Sequence, residues 1–305
     1  MFLRAPCKVN LTLDVFNKKE HTDVYHNLDS LVVLFGQPAD ELRIYIEPTN
    51  NKTSITLLCS DSRLPNDNRN LAYRAADVYL KHIDEPFHVK IELDKHIPAE
   101  AGLGGGSSDA AAVLRALNIY FNHRIDQTTL MAMAARLGSD VSSFLAEKPV
   151  RMRGYGDVIE TLHCELPSLY GVVVRPNTGV STAHAYALLD AIPNRQPGSS
   201  TEQLLSCIRA DKDSSIDIVT LLAKKLSNDF ESVIFAAYPT IAEAYDMVLS
   251  AGALRALLCG SGSAVFGLAR NSQHAEQLVN QLAPHFPFVT NVSTATLETF
   301  TINHF

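Results

Sequence analysis

The sequence predicts an α/β (α+β) protein of two domains, and three observations carry that reading. A clean strand alternation, Phe87, Val89, Ile91 and Leu93 with His88, Lys90, Glu92 and Asp94 between them, runs through a glycine-rich turn into a helical pattern. The character of the chain changes near residue 160, ahead of the continuous apolar run Gly171-Val172-Val173-Val174 and the turn residues Pro176-Asn177-Thr178-Gly179. Finally, 305 residues are enough to build two cores. The boundary is therefore expected at residues 1–160 and 161–305.

In chain order, Ala5 to Phe16 reads as a strand, with Val9, Leu11, Leu13 and Val15 on one face and Lys8, Asn10 and Thr12 on the other. After the strand at 87–94 come the loop from Ile97 to Gly106 and then Ser107, Ser108 and Asp109, good residues for a helix start. Ala110, Val113, Leu114 and Leu117 follow at helical spacing. A second helix spaces Leu130, Met133, Ala134 and Leu137 and stops at Gly138, which leaves Asp140 just beyond a helix end. Pro193 to Thr201 reads as an exposed loop, 240–250 as a helix, and Ala264 to Leu268 as a strand behind Gly260-Ser261-Gly262-Ser263.

Composition narrows the function. Hydrophobic residues make up 46% and charged residues 19%, the balance of a self-folding globular chain. A net charge of −7 excludes a nucleic-acid-binding surface built on clustered Lys and Arg. Five scattered cysteines, never as C-x-x-C, fit reduced thiols in a cytoplasm. Residues 1–20 lack a signal-peptide core, and no window resembles a membrane span, so a cytoplasmic protein is expected. His163-Cys164 is an isolated pair, and neither His nor Cys spacing suggests a metal site.

The chemistry lies in the segment Pro98, Ala99, Glu100, Ala101, Gly102, Leu103, Gly104, Gly105, Gly106, Ser107, Ser108. Glycines between a strand and a helix let backbone N–H groups converge on an anion, and the helix dipole adds to the attraction. This is a phosphate cradle, but not a Walker A sequence, which needs Gly-Lys-Ser/Thr, nor the dinucleotide fingerprint.

Ala101 to Ala111 instead resembles the ATP loop of the GHMP kinase superfamily. Ala5-Pro6-Cys7-Lys8-Val9-Asn10-Leu11 is similar to its first motif, and Asp23 to Leu28 to its Asp-Gly-Tyr-His signature. Asp67 to Leu71 with Arg74-Ala75-Ala76, Leu137 to Val141, Ser227 to Glu231 and Cys259 to Ser263 follow in the family's order. The third glycine before the serine pair resembles the branch acting on cytidine diphosphate-linked methylerythritol.

That resemblance implies a GHMP kinase N-terminal ATP-binding domain, a ferredoxin-like C-terminal domain, and a site in the cleft between them. It implies ATP-dependent phosphorylation of a 2-hydroxyl in non-mevalonate isoprenoid precursor synthesis. Asp140 would be the general base and Lys8 its partner, one accepting the hydroxyl proton and the other offsetting charge on the transferring phosphoryl. Tyr25 and His26 would address the cytidine, with Asn10, Thr182 and Tyr186 completing the acceptor pocket. Mg²⁺ would enter with ATP, touching a hydroxyl of Ser107 or Ser108, the choice left open. No protein metal ligand is otherwise assigned, and the partner is a small molecule, with the chain a monomer or homodimer. Two departures stand out: Glu100, a negative charge beside the phosphates where the family often has glycine or a neutral small residue, and Val24 in place of the usual glycine before Tyr25. Another GHMP kinase with a different alcohol, or a non-catalytic nucleotide-binding relative, remains open at this point.

Overall fold

The computed structural model describes all residues except 19–24, 163–165, 211–216 and 304–305. Val24 and the His163-Cys164 pair lie outside the described residues.

The first half runs β1 (Phe2–Val15), β2 (Leu28–Pro48), β3 (Ser54–Cys59), α1 (Leu71–Ile83), β4 (Phe87–Asp94), α2 (Gly105–Tyr120), α3 (Gln127–Leu137), α4 (Ser139–Leu145), β5 (Val150–Gly154) and β6 (Val158–Thr161). The second half runs β7 (Tyr170–Arg175), α5 (Thr182–Asp190), α6 (Ser200–Ala210), α7 (Ile218–Lys225), β8 (Ser227–Asn228), α8 (Glu231–Ala237), α9 (Pro239–Ser250), β9 (Arg255–Leu258), β10 (Val265–Ala269), α10 (Ser272–Leu282) and β11 (Phe288–Ser293).

One sheet has the order β3-β4-β2-β1-β8, with β5 on β2 and β6 on β5. The other has the order β11-β7-β10-β9, all antiparallel. Counted along the chain among the strands of this sheet alone, that order is 4-1-3-2, with helices between its first and second strands and between its third and fourth. This is the ferredoxin-like arrangement the motif order implied. The two-residue β8 comes from the second half yet pairs in parallel with β1, Thr12 beside Ser227 and Leu13 beside Asn228.

Three apolar clusters hold the molecule together. One packs helices α1–α4 on the first sheet, and another packs α5, α8, α9 and α10 on the second. The third lies between the sheets, where Cys7, Val9, Leu11 and Phe35 meet Val173, Leu257 and Phe266. The rings of Phe35 and Phe266 stand 5.4 Å apart.

β1 departs from the simple alternation read from its sequence. Its pairing with β2 shifts register between Pro6 and Cys7 and again between Asn10 and Thr12. A bulge inserts a residue and moves everything beyond it to the opposite face. Leu13 and Val15 therefore leave the cluster of Val9 and Leu11 for the second cluster, while Thr12 turns away from Lys8 and Asn10. The expected grouping of Lys8, Asn10 and Thr12 is thus corrected. The face now reads Leu3, Ala5, Lys8, Asn10, Leu13, Val15, a buried polar pair between two apolar ends.

Two other boundaries move. α2 begins at Gly105, capped by Gly104 at φ 76°, so Ser107 and Ser108 lie inside the first turn instead of capping it. The expected exposed loop at 193–201 ends sooner, because Ser200 opens α6 and Thr201 is fully buried. Asp14 accounts for this, its carboxylate accepting from the amides of Ser200 at 3.0 Å and Thr201 at 2.8 Å.

Candidate active site

The glycine segment is held from both halves of the chain. Lys8 N–H of β1 donates to Leu103 O at 3.0 Å, and Ala264 N–H to Ala101 O at 3.2 Å. Gly102, at φ 76°, lies so close to the second glycine turn that a Cβ would stand 1.8 Å from Cys259 O. That second turn is fixed by Asn228, whose Nδ2 donates to Leu258 O at 2.8 Å and Gly260 O at 2.7 Å. The Ser-Asn-Asp-Phe-Glu block therefore works as a clamp. Glu231 accepts from Leu258 N–H at 3.0 Å, and Asp229 from Val15 N–H at 2.8 Å.

The first helical bond of α2 runs from Ser108 N–H to Gly104 O. The amides of Gly105, Gly106 and Ser107 precede it and belong to the turn whose donors an α-helix leaves unused. All three residues line a cavity of about 500 Å³. Such a helix start is a ready anion site.

Beneath the loop lies a buried network. Asp40 accepts from the amides of His96 at 2.6 Å and Ile97 at 2.8 Å, while Lys95 bridges the carboxylates of Asp40 and Asp109. It joins β2, the entrance of the loop and the N-terminal part of α2. Burial pushes the Asp109 carboxyl up; Lys95 pulls it down and Asp40 pushes it further up. The folded protein therefore holds a proton at Asp109 that the unfolded chain releases, and stability falls as pH rises from the ordinary carboxylate range through neutrality. Thermal unfolding followed from about pH 5 to 8 is expected to show this decline, and Asp109→Asn to flatten it; an unchanged slope would assign the effect elsewhere.

The same cavity brings most of the candidate residues together: Lys8, Asn10, Pro98 through Ser107, Asp140, Thr182 and Tyr186. Asp140 stands in the first turn of α4, refining its expected place beyond a helix, with Oδ2 3.7 Å from Lys8 Nζ. Lys8 Nζ donates to Asn10 Oδ1 at 2.5 Å, and Asn10 Nδ2 donates to Ser30 Oγ at 2.8 Å. The hydroxyls of Thr182 and Ser261 are 3.1 Å apart.

Three candidates are not in the lining: Tyr25, His26 and Ser108. Ser108 is buried, its hydroxyl without a hydrogen-bond partner, and its N–H is spent on Gly104. Tyr25 is 69% exposed and meets Tyr155 edge-on. His26 is buried, bound through Nε2 to Asp190 at 2.6 Å and stacked at 4.7 Å on Tyr186, which does line the cavity. Burial first, and then Asp140, push the Tyr186 phenol up to about 12, so it stays neutral throughout the physiological range.

Sequence reasoning missed Leu13, Leu28, Met152 and Phe230, apolar residues that line the cavity. Nothing in their local pattern marks them, and for Leu13 the bulge in β1 decides the matter. It also missed Lys95, Asp40 and Asp109: Lys95 and Asp109 flank the glycine loop in the sequence, whereas Asp40 lies on β2 with no local signal.

Glu100 adopts φ 53°, the left-handed region where glycine is at ease. Its carboxylate leans on Gly179, where a Cβ would lie 2.7 Å from Oε2. Both Glu100→Gly and Glu100→Ala remove the carboxylate, but only glycine fits the backbone. Urea unfolding is expected to find the glycine variant more stable than the alanine one by about 1 kcal/mol.

Fold and cradle together define an ATP-dependent small-molecule kinase of the GHMP class. The family models for the GHMP kinases N terminal domain and the GHMP kinases C terminal match residues 70–148 and 216–287. A homoserine kinase from Cytophaga hutchinsonii shares the fold at TM-score 0.72 and 19% identity, over 97% of this chain and 94% of that one. A 4-diphosphocytidyl-2-C-methyl-D-erythritol kinase from Solidesulfovibrio magneticus is 39% identical over 90% of each chain. The enzyme of that name from Gloeobacter violaceus is 35% identical, over 92% of this chain and 89% of its own. A crystal structure of 4-(cytidine 5'-diphospho)-2C-methyl-D-erythritol kinase superposes at TM-score 0.78 and 33% identity, covering 97% of this chain and all of that one. The chain belongs to the 4-diphosphocytidyl-2-C-methyl-D-erythritol kinase family.

Proposed function

We propose that this cleft transfers the γ-phosphoryl group of ATP to the 2-hydroxyl of 4-diphosphocytidyl-2-C-methyl-D-erythritol, in the non-mevalonate route to isoprenoid precursors. The observation that carries the reading is the meeting, in one cavity, of the glycine turn, Lys8 and Asp140. ATP lies with its phosphates on the amides of residues 105–107, and Asp140 takes the proton from the acceptor hydroxyl. Lys8, held by Asn10, offsets negative charge on the phosphoryl in transit. Thr182, Tyr186 and Asn10 border the acceptor. His26 and Tyr25 act from the pocket's edge, His26 through its stack on Tyr186.

Mg²⁺ enters with the nucleotide. The hydroxyl oxygens at the start of α2 are hard donors that suit it, and Ser108 Oγ is buried there without a hydrogen-bond partner. Ser107, which lines the cavity, is the hydroxyl that faces the phosphates. When bound, the ion neutralises charge on the β- and γ-phosphates. Among the described residues no cluster of three His, Cys, Asp or Glu side chains could hold a metal, so phosphate and water supply most ligands. No described helix is long and apolar enough to cross a membrane, and a cytoplasmic site of action agrees with a small-molecule substrate.

The test is an ADP-release assay with the cytidylated acceptor beside mevalonate and homoserine. Turnover is expected with the first alone; equal or greater turnover with either of the others would reassign the acceptor.

A further inference from the structure

Lys8 can serve the transfer only if its ammonium is aimed, and it is aimed by an amide whose two ends have nearly the same shape. Asn10 could present either Oδ1 or Nδ2 to Lys8, and only the oxygen accepts a hydrogen bond from an ammonium. Something must choose between the two.

Ser30 makes the choice. It is fully buried on β2, and its Oγ donates to Thr12 O at 2.7 Å. A hydroxyl has one proton, so with that proton spent Ser30 offers Asn10 only lone pairs. Asn10 must then direct Nδ2 at Ser30, 2.8 Å away, and Oδ1 at Lys8, 2.5 Å away. The reversed amide would set N–H groups against the ammonium at one end and leave Ser30 facing an oxygen at the other, two unmet polar contacts in a buried site. Strand pairing makes the arrangement possible. Asn10 pairs with Val32, and Ser30 lies two residues from Val32 along β2, so Ser30 shares the face of Asn10.

We propose that Ser30 is a positioning residue for phosphoryl transfer: its hydroxyl fixes the orientation of the Asn10 amide and thereby holds the Lys8 ammonium toward Asp140. The inference rests on the reading of Lys8 given above. It assigns no contact between Ser30 and either substrate.

Steady-state kinetics of Ser30→Ala, with both the cytidylated acceptor and ATP varied, test it. The expected result is a kcat about tenfold lower with both KM values within twofold of wild type, and Ser30→Thr, which keeps the hydroxyl, within threefold of wild type in kcat. A merely structural role would instead lower the unfolding temperature and move KM and kcat together. The inference is overturned if Ser30→Ala keeps kcat within twofold of wild type, if KM changes as much as kcat, or if the threonine variant loses as much as the alanine. Should Ser30→Ala not fold, Ser30→Cys, of similar volume and with a thiol that is a weak donor, takes its place under the same thresholds. Lys8→Met separates the two readings. If it retains turnover, the role of Lys8 fails; if it abolishes turnover while Ser30→Ala leaves kcat intact, only the role of Ser30 fails.

Discussion

Asp140→Asn is expected to lower kcat by about a thousandfold while ATP binds with close to native affinity. The substitution keeps the size and planarity of the side chain in the first turn of α4 and removes only its capacity to take a proton. Asp140 makes no hydrogen bond to the glycine segment through its carboxylate; its backbone carbonyl accepts from Ser143 Oγ at 2.7 Å, which asparagine preserves. The amides proposed to hold the nucleotide belong to Gly105, Gly106 and Ser107, on a different helix. Turnover and affinity should therefore separate. Calorimetric ATP binding and single-turnover rates on the same variant measure the two quantities, and an equal loss of both would remove the general-base role and leave Asp140 a structural residue.

Gly102→Ala is expected to be the most damaging single methyl in the chain. At φ 76° alanine carries a backbone penalty of about 1 kcal/mol, and its Cβ would fall 1.8 Å from Cys259 O and 3.2 Å from Gly262 O. Those atoms are backbone in a turn clamped by Asn228, so they cannot swing aside. The two glycine turns must part, and the phosphate cradle loses its support. ATP affinity should drop at least about a hundredfold, and stability by about 3 kcal/mol or more. Gly138→Ala is the control, since its Cβ would meet only Val141 Cγ2 at 3.6 Å. Unfolding in urea with and without ATP checks both variants. If Gly102→Ala behaves like Gly138→Ala, the close approach of the two turns does not govern the site.

Much of this was legible in the sequence because the physics is local. Alternation at 87–94 and helical spacing at 110–117 and 130–137 report neighbours along one element, and each matches its strand or helix. The glycine run could be read as a candidate cradle because three residues without Cβ leave the backbone exposed in any context. What stayed hidden depends on a partner strand. Whether Thr12 or Leu13 faces the cavity is settled by a register shift against β2, which the alternation within β1 cannot express. The proton direction through Ser30, the clamp of Asn228 on the second turn and the Lys95 bridge join residues from 14 to 55 positions apart. Motif order brought Lys8, the glycine loop and Asp140 into one reading, but only coordinates give their 3.7 Å approach.

The short strand β8 bears on how the molecule is made. The neighbour that completes the sheet beside β1 arrives only with Ser227 and Asn228, when about three quarters of the chain has been synthesised. On a ribosome the first sheet must wait with one flank open, and the glycine turn must wait longer still for Ala264. Nascent chains arrested before that point should bind no nucleotide, so competence arrives near the end of translation and all at once.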